Sequence, residues 1–324
     1  MNVCFILVLS VVLQYLLSFI VKLLLPQFVG STAFGYFYTA LVSVITVFLP
    51  AYLYLKDEKK DYFTDCFSKV KPSVNMLIAA AIGICAQYVG IAVNLPVNIL
   101  ISSLGGDISN NPPVISGVGL LIGGIIVMCV IPAVLEEILF RGIVFNYFRP
   151  FGEKSAILIS ALLFSVMHMD YTNTLGTFLL GIICGILVKH TNRIIYPMIT
   201  HFAMNLVSVV STYLANYEIA YNIYNDYFVV LILVAIPLTF YLMGIFKQRA
   251  VKLPYSDEDK LGKTTEKIIE INEESSIRII EHDIRENNLK MAFSKLLKSP
   301  YFYILLALYI FIGGTKIWEL AKRF

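Results

Sequence analysis

The chain has 324 residues, of which 58% are hydrophobic, 13% aromatic and only 15% charged, with a formal net charge of +3 and a mean hydropathy of +0.77. Soluble domains carry roughly 25% charged residues, so this composition excludes an ordinary soluble globular protein and a disordered chain. The small net charge, with no basic patch interleaved with aromatics, also excludes nucleic acid as a partner.

Apolar runs long enough to cross a bilayer predict nine spans, at about 2–25, 29–55, 74–102, 114–139, 155–169, 174–189, 194–215, 227–246 and 301–319. The fold class is all-α and polytopic: a helical bundle of about eight or nine transmembrane segments enclosing an intramembrane polar cavity. The first segment lacks the basic flank and small-residue cleavage site of a signal peptide and reads as a span. Lysines and arginines alternate cleanly between loops. The 56–72 loop holds Lys56, Lys59, Lys60, Lys69 and Lys71, the 140–154 loop holds Arg141, Arg149 and Lys154, and the 189–193 turn holds Lys189 and Arg193, while the intervening loops hold none. The positive-inside rule then puts the N-terminus and the basic loops in the cytoplasm. Spans five and six are short for a hydrocarbon core of about 30 Å. Protein or a water-filled cavity must therefore surround them, which predicts a cavity near 155–189. Gly119-xxx-Gly123 and Gly181-xxx-Gly185 predict close helix packing. Five cysteines without a CxxC pair read as core packing rather than a disulfide or zinc framework.

The chain divides into N-terminal transmembrane helices (1–102), a central transmembrane core (110–215), a further helix (216–246), a charged linker (247–298) and a C-terminal segment (299–324). The linker reads as cytoplasmic. Ile268, Ile269, Ile271, Ile277, Ile280 and Ile284 predict an amphipathic helical stripe there, lying on the membrane or docking a membrane partner.

Ionisable groups inside spans are expensive and mark function by default. Here they are Glu136, Glu137, His168 and His201, with Arg141 at a span end. Glu137 and Arg141 stand four apart in the favourable order on one helical face. Glu137 is thereby neutralised, and Glu136 points about 100° away without a partner. An unpaired, desolvated acid can exchange a proton near neutral pH. Phe164 lies one turn before His168 and can wall the site, and His201 and Asn205 again stand four apart. A bundle interior lined by Glu, His, His and Asn is either a water-activating site or a metal site.

The motifs Glu136-Glu137-xxx-Arg141, Phe164-xxx-His168 and His201-xxx-Asn205 closely resemble the three signatures of the CPBP family. These are the CAAX-processing and bacteriocin-processing intramembrane proteases, also called the Abi or type II CAAX prenyl endopeptidase family. The resemblance covers roughly 110–215. It implies that Glu136 and His168 polarise the attacking water, that His201 and Asn205 stabilise the oxyanion, and that Glu137, Arg141 and Phe164 support the site. No cofactor is favoured; a Zn2+ alternative would use Glu136, His168 and His201, although no HExxH motif is present. The implied function is an intramembrane endopeptidase acting on a membrane-anchored, lipidated or membrane-inserted peptide. It would sit in the lipid bilayer, in a bacterial plasma membrane, with its cavity open to the cytoplasmic side. Peptide maturation or bacteriocin immunity would be its setting. The alternatives are a non-catalytic membrane regulator or immunity protein, and a proton-relay transporter. No internal repeat of the Glu-Glu or His-xxx-Asn segment supports the transporter.

Overall fold

The computed structural model describes residues 2–28, 31–57, 72–106, 108, 114–252, 265–272, 275–281 and 288–321. The helices are α1 (Val3–Leu24), α2 (Thr32–Lys56), α3 (Val74–Ser103), α4 (Val118–Phe151), α5 (Glu153–Met167), α6 (Thr174–Thr191), α7 (Ile195–Leu214), α8 (Glu218–Arg249), α9 (Leu289–Leu297) and α10 (Pro300–Ala321). All but α9 follow the order of the nine predicted spans. Six are long and apolar enough to cross a membrane: α1, α2, α3, α4, α6 with its preceding turn, and α8. The pair α9–α10, bent by 79°, would make a seventh. Among the described residues, length and composition alone thus qualify six or seven of the nine helices as spans of a polytopic helical bundle. Helix α5 has only 15 residues, and α7 carries His201, Asn205 and a run of serines and threonines.

Two boundaries also change. Helix α4 continues past the expected end at 139 to Phe151. Arg141 is therefore in a helix interior and fully buried, not at a span end. The isoleucines expected on a helical stripe at 268–280 lie instead in an antiparallel hairpin, β1 (Thr265–Asn272) and β2 (Ser275–Glu281), in the register Thr265↔Glu281 to Ile269↔Ile277. Short isoleucine-rich runs separated by two residues satisfy a strand as readily as a helix, and β-branching favours the strand. Ile284 lies outside the described residues. The amphipathic helix of this region is α9, which buries Ala292 and Leu296.

Helices α3, α4, α5, α6 and α7 form the centre. Ten of the 15 residues of α5 are buried, whereas α8 buries only Ala235, Thr239 and Phe246. A short helix enclosed by protein needs no match to bilayer thickness, because its ends never meet lipid.

Small residues set the close crossings. Gly181 abuts Ala161 and Gly185 abuts Ile157, so the second predicted glycine pair joins α6 to α5. The first pair is only half used: Gly123 faces the Tyr36 ring, while Gly119 faces open space. The tightest crossing lies elsewhere, at Gly83 on α3. A Cβ there would fall 2.1 Å from the Thr200 carbonyl oxygen, and the Thr200 hydroxyl donates across the same crossing to the Ala79 carbonyl at 2.9 Å.

Gly83→Ala should therefore lower the thermal unfolding midpoint of the detergent-solubilised protein, since overpacking costs roughly 1–3 kcal/mol. Gly119→Ala meets no atom and gains helix propensity, so its midpoint should hold or rise. Equal midpoints for the two variants would show that the α3–α7 crossing is looser than described.

Candidate active site

Helix α4 presents the two acids between two π-helical stretches, Ile125–Val130 and Ile138–Val144. The first has an identifiable cause. Proline lacks an N–H, so Pro132 cannot donate to the Met128 carbonyl one turn back. The Asn205 side-chain amide on α7 donates to that carbonyl instead, at 3.1 Å. Along the second stretch the Phe145 N–H reaches back five residues to Phe140. Asn146 Nδ2 then donates to the loosened Arg141 and Gly142 carbonyls, at 3.3 and 2.9 Å. Such π-turns are frequent at functional sites.

Glu137 and Arg141 are both fully buried and joined at 3.0 Å. Arg141 Nη2 also donates to the Gly181 carbonyl at 3.2 Å, and its guanidinium lies 4.7 Å from the Phe164 ring centroid. The same Glu137 oxygen, Oε1, meets His201 Nδ1 at 3.0 Å. Phe164 is fully buried and packs edge-on against Phe140, His168 and His201. It forms the wall that its spacing predicted.

Glu136 differs from its neighbour. Its Oε2 is buried without a hydrogen-bond partner, and it faces His168 Nε2 at 3.8 Å and His201 Nε2 at 4.0 Å. The partners of the other ring nitrogens fix the tautomers. His168 Nδ1 lies 2.7 Å from the Phe164 carbonyl, an acceptor, so Nδ1 carries the proton. His201 Nδ1 faces the Glu137 carboxylate and carries its proton for the same reason. Both rings therefore turn Nε2 toward Glu136. The site lines a cavity of about 280 Å³, together with Gln87, Asn173, Thr177 and Ser208.

All four residues expected at the reacting centre, Glu136, His168, His201 and Asn205, thus border one cavity, and Glu137, Arg141 and Phe164 lie behind it. His168 caps α5, so the short length of that helix is what delivers it to the centre. Asn205 apart, the uncharged polar lining has no counterpart among the residues expected from the sequence, which are the ionisable groups of the spans and the Phe164 wall. Its sequence signal is a lone polar residue in an apolar run. Gln87 and Asn94 on α3 fit that description, with Gln87 donating to Ser208 at 2.8 Å and Asn94 to Asn173 at 2.9 Å.

A zinc alternative can be set against this geometry. Tetrahedral zinc with ligands at about 2.0–2.1 Å brings donor atoms to about 3.4 Å of one another. Glu136 stands 3.8 and 4.0 Å from the two histidines, and among the described residues no group of three or more His, Cys, Asp or Glu is arranged to hold a metal ion. As disposed, these donors stand about half an ångström wider apart than a tetrahedral zinc set requires.

Residues 118–207 match the family model described as type II CAAX prenyl endopeptidase Rce1-like. Among curated proteins, "Putative membrane peptidase YdiL" of Bacillus subtilis (strain 168) is 33% identical over 87 residues, covering 26% of this chain and 36% of that relative. The chain thus spans about a third of the length of this curated relative. No solved structure matches the chain. The matched segment contains all three motifs and every group of the buried constellation, so it is this part of the chain that is similar to the Rce1-like type II CAAX prenyl endopeptidases.

Proposed function

We propose that this protein is an intramembrane endopeptidase that hydrolyses a peptide bond in a membrane-anchored, lipidated or membrane-inserted substrate. The observation that supports this reading best is the convergence of the unpaired Glu136 oxygen with the Nε2 atoms of His168 and His201 in one polar-lined cavity.

Separations near 4 Å are too long for a direct hydrogen bond and suit a bridging water. A water held between Glu136 Oε2 and His168 Nε2 gives up a proton to Glu136 as its oxygen attacks the scissile carbonyl carbon. The carbonyl π bond opens and the charge moves to oxygen. One N–H of Asn205 is committed to the Met128 carbonyl, leaving the other for this oxyanion. His201 can donate from Nε2 only as an imidazolium, a form that the Glu137 carboxylate beside Nδ1 would stabilise. Collapse of the tetrahedral intermediate breaks the C–N bond, and the proton on Glu136 passes to the departing amine. No metal takes part in this scheme, in keeping with the donor separations.

We further propose that the basic ends of α3, α4, α6 and α7 face the cytoplasm of a bacterial plasma membrane. The N-terminus lies on the same side, and substrate enters the cavity from there. A membrane partner acting through the 247–298 linker remains part of the same proposal.

Purified full-length protein should cleave a library of membrane-anchored peptides. Glu136→Gln should reduce the rate by at least about 10³-fold, since it removes the base, whereas a strong zinc chelator should leave the rate unchanged. Loss of activity in chelator would move the mechanism to a metal. Equal rates for wild type and Glu136→Gln would remove Glu136 from the chemistry.

Stability should separate the two acids. Arg141→Ala leaves the Glu137 charge buried and should cost roughly 3–5 kcal/mol, read as a fall in the unfolding midpoint. Glu136→Gln strands no charge and should unfold within a degree or two of wild type. A fall of equal size in both variants would mean that Glu136 is part of the structural clamp.

A further inference from the structure

The turn that follows His168 is held by a helix far away in the chain, and we propose that α10 positions His168 through it. The proposal rests on the peptidase reading for its catalytic consequence but not for its geometry.

His168 ends α5, and Met169 behind it takes a left-handed backbone conformation (φ 51°) while being 3% exposed. A non-glycine residue in that region persists only where its surroundings over-determine it. Part of the restraint is local. Asp170 accepts from the Thr172 N–H and hydroxyl, at 3.0 and 2.7 Å. The Thr174 hydroxyl donates to the Asp170 carbonyl at 2.6 Å, and Ser165 donates to the Thr174 carbonyl at 2.6 Å.

The rest comes from α10. Tyr171 in the turn donates its hydroxyl to the Ile310 carbonyl at 2.9 Å. Tyr309 meets the Thr174 hydroxyl oxygen at 2.6 Å. That hydroxyl's own proton is committed to Asp170, so Tyr309 is the donor. The two tyrosine rings pack edge to face with centroids 4.8 Å apart. The Tyr171 ring fits because residue 313 is glycine: a Cβ there would stand 2.4 Å from the ring, while one at Gly314 would meet nothing. Helix α10 is itself anchored on the bundle, through Asn2 donating to Ser299 at 3.1 Å and Phe5 against Tyr301. It lies beyond the 118–207 segment that matches the family. The C-terminal segment therefore acts on the site from outside the matched core. Tyr171 and Tyr309 are positioning residues for His168, and displacing α10 would turn its Nε2 away from Glu136.

Adjacent glycines supply a matched test in the full-length protein. Gly313→Ala and Gly314→Ala make the same chemical change one position apart on α10, and only the first collides with Tyr171. Gly313→Ala should speed amide hydrogen exchange at residues 169–173 on the order of tenfold and lower kcat about tenfold or more with KM unchanged, the pattern of a misplaced catalytic group. Gly314→Ala should match wild type in both. Tyr171→Phe keeps the ring and loses the donor, and should fall between them. Indistinguishable exchange in the two glycine variants would overturn the proposal, as would faster exchange in Gly313→Ala with kcat unchanged. If wild type cleaves nothing, the peptidase reading fails, and with it the catalytic role given to α10, while the exchange comparison still decides whether α10 holds the turn.

Discussion

One buried carboxylate organises the centre of this protein. Glu137 Oε1 receives Arg141 and His201, each at 3.0 Å. Arg141 extends the junction to the Gly181 carbonyl and the Phe164 face. A single ion pair thereby ties α4 to α5, α6 and α7. Taking both charges out of water costs several kcal/mol each, and the junction offsets this only in part, since Glu137 Oε2 and Arg141 Nε have no hydrogen-bond partner. Arginine suits the position because its planar fork serves a carboxylate and a carbonyl at once while its face lies on a ring, which a lysine could not do. Gly181 is needed twice: its carbonyl accepts from Arg141, and its missing Cβ lets α5 approach.

The irregular backbone of α4 follows from the same demand for satisfaction in an apolar setting, where an unpaired carbonyl costs several kcal/mol. Pro132 frees a carbonyl just before the acids, and Asn205 covers it. A π-turn loosens two more just after them, and Asn146 covers both. Asn205 is thus a joint between α4 and α7 before it is a donor to any substrate. Its two side-chain N–H groups allow both roles, where an aspartate would allow neither.

Much of the site was legible because charge is so rare in the spans. The spacing of Glu137 and Arg141 identified the paired acid, and that pairing identified Glu136 as the unpaired one. Phe164 followed from its one-turn offset from His168. Asn205 could have been read further: Pro132 stands four residues after Met128, which predicts an orphaned carbonyl needing a side-chain donor. The hairpin at 265–281 was misread because six isoleucines in 17 positions fit two periodicities, and only β-branching separates them. The grip of α10 on the turn at 171 left no local signal. Its two partners are 139 residues apart, and neither tyrosine nor glycine is unusual in a membrane helix.

The hydrogen bonds on the outer side of the site orient the groups on its inner side. His168 Nδ1 is committed to the Phe164 carbonyl and His201 Nδ1 to Glu137. Each imidazole therefore turns its Nε2 toward the cavity. Glu136 Oε2 has no hydrogen-bond partner, and neither has Glu137 Oε2, but Glu137 is bound to Arg141 and His201 through its other oxygen. In the proposed mechanism a proton taken from water passes to Glu136, which has the Nε2 atoms of His168 and His201 beside it. The backbone carbonyl of Phe164 and the buried Glu137–Arg141 pair thus orient the two rings that border the cavity without lining it themselves.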